Sequence, residues 1–205
     1  MVKNIIFDLG VVLLDIDFQR TMNEFEKLEI PNIKEIFSGY DQEAFFDKFE
    51  KGLISPAEFR DEVRKHTNKP VTDEMIDHAW NAMIIDFPPE RINLLISLKN
   101  SYRIFLLSNT NAIHFPVYNK QLNEQFNIAN LSDLFEQAYY SYRLGLRKPD
   151  KKIFELVLNE NKLIPAETLF IDDSPQHITT AKTLGIKAIL LQPPQTIIDC
   201  LKSVL

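Results

Sequence analysis

Four polar positions stand at the ends of short apolar runs. Asp8 follows "NIIF", Ser108 follows "RIFLL", and the pair Asp172 and Asp173 follows "TLFI". A carboxylate beside a run apolar enough to be buried needs compensation, because a lone charge is strongly disfavoured away from water. If these runs are neighbouring parallel strands, their C-terminal ends meet in one crevice, the place where open α/β sheets bind ligands. The chemistry that suits such a set is phosphoryl transfer, which asks for a nucleophile, positive charge and fixed donors around a trigonal phosphoryl group. A carboxylate can be that nucleophile, passing through an aspartyl-phosphate. An anion attacking an anion requires neutralisation, so a hard divalent cation on oxygen ligands, Mg2+, is expected. Asp8 and Asp173 are the candidate ligands, with Asp172 standing behind them. Lys148, in "GLRKPD", would place an ammonium beside the same phosphate. Ser108 and the backbone amide of Asn109 would donate to its oxygens.

These residues need a scaffold that brings them together. The runs 4–7, 103–107, 168–171 and 187–191 read as buried strands, and 137–142 as a further one. Amphipathic stretches of helical length at 90–99, 150–161 and 175–184 lie between or after them, the alternation of a parallel sheet covered on both faces. Gly185 after "AKTL" marks a helix end. Residues 19–28, 41–50, 56–66 and 72–84 instead have helical periodicity with no strand between them. Ser55 with Pro56, and Thr72 with its following acidic residues, read as helix starts. "DFPPE", 86–90, stops the last of these helices and returns the chain to the sheet. The expected organisation is an α/β core of 1–15 and 87–205 with a helical insertion at 16–86.

Bulk composition bounds the function. At 205 residues and 45% hydrophobic content, the chain can bury one core with a smaller satellite. The net charge of −6 argues against a nucleic-acid partner. The acidity is local: residues 16–86 hold 16 acidic and 9 basic side chains, net −7, and the remainder is near neutral. One cysteine, Cys200, cannot form an internal disulfide and reads as a small apolar residue of a C-terminal helix. With no secretory pattern and no long apolar segment, a cytoplasmic location without membrane contact is expected.

Each short motif is weak alone. A "DxG" or "SNT" occurs in ordinary turns, "RKP" in solvated loops, and "DD" before Ser-Pro at helix N-caps. Their order after successive strands is what carries weight. The motifs "FDLGVVLLD", "LLSNTN", "GLRKPD" and "FIDDSPQHITTAKTLGI" resemble those of the haloacid dehalogenase superfamily of aspartate-nucleophile phosphatases, over nearly the whole chain. The resemblance implies a Rossmann-like core with an inserted helical cap and phosphatase activity on a small phosphorylated metabolite. It also implies Asp8 as nucleophile and metal ligand, Asp173 and the Gly10 carbonyl as further ligands, and Ser108 and Lys148 as phosphate binders.

One position departs from the pattern. Phosphatases of this type usually carry aspartate two residues after the nucleophile as general acid and base, and here that residue is Gly10. Leaving groups that are stable as anions suffer least from its loss. The "DLG...DID" form resembles a branch that includes alpha-glucose-1-phosphatase, so a sugar phosphate is the expected substrate. Asp15 and Asp17 are candidate substitute proton carriers, with turn or capping roles as the simpler reading. His177 stands where relatives often have asparagine, and His114 reads as a surface histidine that can also face the crevice. Phe45, Phe46 and Phe49, in "EAFFDKFEKG", read as core of the insertion more than as a platform for sugar. Two other functions stay open: a metal-independent 2-haloacid dehalogenase, and a non-catalytic binding protein that keeps the fold.

Overall fold

The computed structural model describes residues 1–30, 45–192 and 194–202. Five strands, β1 (Asn4–Phe7), β2 (Arg103–Ser108), β3 (Gln137–Tyr140), β4 (Thr168–Asp172) and β5 (Lys187–Leu190), form one parallel sheet in the order β3-β2-β1-β4-β5. The chain runs outward from β1 through β2 to β3, then returns to lay β4 on the other side of β1. This reversal between β1 and β4 is the topological switch point, and Asp8, Asp172 and Asp173 lie on its two sides.

Alternation along the strands splits the interior in two. Ile5, Phe7, Leu106 and Ile171 face one cluster and Ile6, Phe105, Leu107 and Phe170 the other. The first cluster receives α5 (Pro89–Leu98), α6 (His114–Phe126) and α10 (Ile197–Lys202), whose Cys200 is buried as expected. The second receives α8 (Lys151–Glu160) and α9 (Pro175–Thr183). Asp150 caps α8 by accepting from the Lys152 N–H. Gly185 lies just past α9 with φ +79°, a backbone conformation that side chains disfavour.

Between β1 and β2 the described residues are helical: α1 (Phe18–Lys27), α2 (Phe46–Glu50), α3 (Pro56–Arg64) and α4 (Asp73–Asn81). Ser55 accepts from the Glu58 N–H while Glu58 returns a bond to the Ser55 amide, a full capping box, and Thr72 caps α4. Residues 41–44 of the helix expected at 41–50 lie outside the described residues. Phe46, Phe49, Phe59 and Trp80 stack into the first cluster, so the phenylalanines are core. Helix α4 stops at Asn81 rather than 84 because the next residues pair elsewhere. The Asp17 N–H donates to Met83 O, Ile85 N–H to Asp15 O and Asp15 N–H to Asp86 O. The two chain crossings, at 15–17 and 83–86, are therefore antiparallel neighbours. None of the helices among the described residues is long and apolar enough to cross a membrane.

The strand expected at 137–142 ends at Tyr140, and Ser141 opens the short helix α7 (Ser141–Leu144). Its hydroxyl donates to the Thr110 carbonyl and accepts from the Thr110 N–H, both at 3.0 Å, which turns the chain after β3 against the loop after β2.

Candidate active site

Lys148 has no exposed surface. Its Nζ donates to Asp8 Oδ1 and to Asp172 Oδ2, each at 2.6 Å. The side chain of Asn109 clamps its backbone: Nδ2 donates to Lys148 O and Oδ1 accepts from Lys148 N–H, both at 2.9 Å. Asp172 accepts in addition from the Ser174 N–H at 2.8 Å and meets His177 Nδ1 at 2.9 and 3.0 Å. Its oxygens are thus occupied by protein, which suits an orienting group better than an open ligand. Oxygens of Asp8, Asp172 and Asp173 lie within 4.8 Å of one another. Among the described residues Ser108 Oγ is engaged only by its neighbour's carbonyl at 3.4 Å, so its proton can turn toward a ligand.

The charges are unevenly balanced. Burial pushes the Asp8 carboxyl up to about 7, with the Lys148 ammonium opposing and the Asp172 charge adding. Burial and the Asp172 charge likewise raise Asp173. Burial also works against an ionised Asp172, yet Lys148 and His177 bring it below the usual carboxylate range. The Lys148 ammonium is penalised by burial but held above its ordinary value by Asp8 and Asp172. One ammonium among three carboxylates leaves room for a further positive charge.

Beside this cluster is a cavity of about 110 Å³, lined by Gly10, Ile16, Glu50, Trp80, Ser108 and His114 among others. A family model described as haloacid dehalogenase-like hydrolase matches residues 5–191. The chain belongs to that family. A D-ribitol-5-phosphate phosphatase from Bacteroides thetaiotaomicron is 32% identical over 189 residues, 91% of this chain and 90% of that protein. A HAD family enzyme from the same organism, solved with magnesium and inorganic phosphate, superposes with a TM-score of 0.85 at 38% identity, covering 95% of this chain and 96% of that one. A HAD-like family hydrolase from Porphyromonas gingivalis gives 0.90 at 29% identity, covering 100% and 98%.

The hydrolase brings Asp8, Ser108, Asn109, Lys148, Asp172 and Asp173 to one end of its sheet, and leaves other expectations elsewhere. Asp17 caps α1 by accepting from the Gln19 N–H. Asp15 pairs with Arg91 at 2.8 Å, and Arg91 also donates to Val11 O at 2.9 Å, fixing a residue whose φ is +63°. Leu14, Ile16 and Phe18 line the cavity, so the alternate Asp15 and Asp17 are turned from it. The Gly10 carbonyl accepts from the Val12 N–H at 2.6 Å, which occupies one of its two lone pairs. A Cβ on Gly10 would lie 2.9 Å from Ile16 Cδ1, so this isoleucine fills the space that a side chain at position 10 would use.

The expectation of a surface His114 is corrected. It is buried, stacked on Trp80 at 4.9 Å, with Nδ1 at 2.8 Å from Asn81 Oδ1. Burial pulls it down to about 3, so it is neutral in the fold and protonates on unfolding below about pH 6.5. The unfolded chain takes the proton first, and stability is lost as pH falls from 6.5 toward 3. Urea unfolding of the parent and His114→Phe at pH 6.5 and 4.5 should show their stability difference moving in favour of the variant by roughly 2–3 kcal/mol. A difference that does not change with pH would contradict this account.

Sequence reasoning missed Glu50, Arg91 and Arg147. Arg147 precedes Lys148, and its Nη1 donates to Asp47 at 2.8 Å while Nη2 lies 3.0 Å from Glu50 Oε2. Its place next to Lys148 in "GLRKPD" was the one available signal.

Proposed function

We propose that this hydrolase is a Mg2+-dependent phosphomonoesterase that works through an aspartyl-phosphate on Asp8. The observation that carries the reading is the buried ammonium of Lys148, 2.6 Å from both Asp8 and Asp172 at the switch point of the sheet. The donor set fits the metal: clustered carboxylate oxygens, two of them on groups raised above the usual carboxylate range, are the hard ligands Mg2+ prefers. Asp8, Asp173 and the Gly10 carbonyl would hold the ion, which supplies charge neutralisation for a carboxylate approaching a phosphate.

The chain's own groups then divide the work. The Asp8 carboxylate forms the new P–O bond as the bond to the leaving oxygen breaks. Ser108 and the Asn109 amide donate to the phosphoryl oxygens, and Lys148 opposes their charge. Asp172, fixed by Ser174 and His177, keeps the Lys148 ammonium at the site. Water then releases inorganic phosphate and regenerates the carboxylate. Residues 16–86 act as a cap that screens these steps from bulk solvent, joined to the core through the paired crossings.

The substrate in this reading is a small phosphorylated metabolite, and a sugar or sugar-alcohol phosphate at the finer level. The relative named for D-ribitol 5-phosphate supports the sugar alcohol. Glucose 1-phosphate rests on the leaving-group argument from Gly10 and on the resemblance of the "DLG...DID" form. Metal removal tests the class. EDTA should abolish phosphate release from p-nitrophenyl phosphate and excess Mg2+ should restore it, while Asp8→Asn stays inactive in both. Phosphate release that survives EDTA would refute the metal requirement, and halide release from a 2-haloacid that survives EDTA would favour the metal-independent dehalogenase.

A further inference from the structure

Glu50 ends α2 and looks into the cavity that also contains Gly10 and Ser108. Its Oε2 is buried and forms an ion pair with Arg147 Nη2 at 3.0 Å, but accepts no hydrogen bond of good geometry from any described residue. A buried carboxylate oxygen short of a hydrogen-bond donor is costly, and the cavity that the same side chain lines is the nearest space from which a ligand's donor can come.

The carboxylate is held in place from both sides. Arg147 bridges it to Asp47, which also pairs with Lys51 at 2.6 Å. After α2 the chain closes a Schellman turn, with Gly52 N–H donating to Phe49 O and Leu53 N–H to Lys48 O. Gly52 has φ +66°, and a Cβ there would overlap the Tyr142 carbonyl oxygen. The loop after α2 therefore rests directly on the backbone beyond β3, and Glu50 is positioned before any ligand arrives.

We propose that Glu50 is the specificity-determining residue of this site, accepting a hydrogen bond from a hydroxyl of the leaving group and rejecting leaving groups that carry a second negative charge. The substrate class is then the monophosphate of a neutral polyhydroxy alcohol. The inference rests on the phosphatase reading and adds to it. Arg147 already pairs with the carboxylate and the charge of Lys148 reaches it, so a cationic partner is not required. A neutral O–H supplies the missing donor, whereas a carboxylate or second phosphate would face like charge in a partly desolvated site.

The test compares three kinds of compound with Mg2+ present: a five-carbon polyol 5-phosphate, its mono-deoxy analogues, and the matching aldonate 5-phosphate. In the parent, removal of one particular hydroxyl should lower kcat/KM by about 10- to 100-fold, the range of a hydrogen bond to a charged group. The aldonate should fall by at least about 100-fold. In Glu50→Leu both ratios should collapse toward unity. Glu50→Gln keeps an acceptor and should retain the hydroxyl preference while losing discrimination against the aldonate. The proposal is overturned if the parent turns over all compounds equally, a result that needs no variant to fold, or if Glu50→Leu keeps the parent's ratios. Phosphate released from p-nitrophenyl phosphate but without these preferences sinks this proposal alone. No release from any phosphomonoester sinks the phosphatase reading with it.

Discussion

Lys148→Met should lower kcat/KM by about 10³-fold or more, because removal of one fixed donor from a charge-stabilising site already costs 10²–10³. Here a donor and the neutralising charge are lost together. The same variant should unfold more easily. Asp8 and Asp172 would lose their shared partner at 2.6 Å, and breaking a buried ion pair typically costs about 3–5 kcal/mol. The loss should depend on pH in a stated direction. Without the ammonium the two carboxyls titrate higher in the fold than in the unfolded chain, so the folded state binds protons first. Stability is then recovered as pH falls and lost as it rises through the folded pKa. Added Mg2+ should restore part of the stability at pH 8, since it replaces the missing positive charge. A variant with the parent's unfolding midpoint at pH 8 and more than a tenth of its turnover would refute the central role of Lys148.

The second large effect concerns position 10. Without a general acid there, p-nitrophenyl phosphate should be cleaved about 10²- to 10⁴-fold faster than a simple alkyl phosphate, the usual worth of proton transfer to a leaving group. Gly10→Asp should narrow that gap. The structure adds a condition: Ile16 Cδ1 lies 2.9 Å from where the new Cβ must go, at the free end of its side chain. Gly10→Asp combined with Ile16→Val should therefore narrow the gap further than Gly10→Asp alone. Equal rates on the two phosphates in the parent would count against a missing acid. An unchanged ratio in the double variant would show that position 10 no longer addresses the leaving group.

The parts legible in the sequence were those whose signal is local. Apolar runs ending in Asp8, Ser108 and Asp172 locate β1, β2 and β4, because a buried strand and the polar residue after it are adjacent in the chain. The caps at Ser55 and Thr72 are likewise decided within four residues. Long-range partners were not legible. Asn109 clamps Lys148 from 39 residues away, and Arg91 reaches Val11 from 80. His114 looked like a surface residue because nothing near it in sequence announces Trp80, which stacks on it from another helix. Ser141 is similar. Its hydroxyl turns the chain by binding Thr110, a contact between residues 31 apart, and the run 137–142 shows only its strand-like composition.

The sheet order also has a consequence for biosynthesis. The segment bearing Asp8 is synthesised before both of its lateral neighbours, which begin at Arg103 and Thr168. Until both have been translated, an apolar tetrapeptide with two unpaired edges must wait, and such non-local pairing slows folding and invites self-association. Strand β1 precedes both of its partners in the chain and is enclosed only after they are made, so chaperone dependence and expression temperature should govern the yield of active protein more than its final stability does.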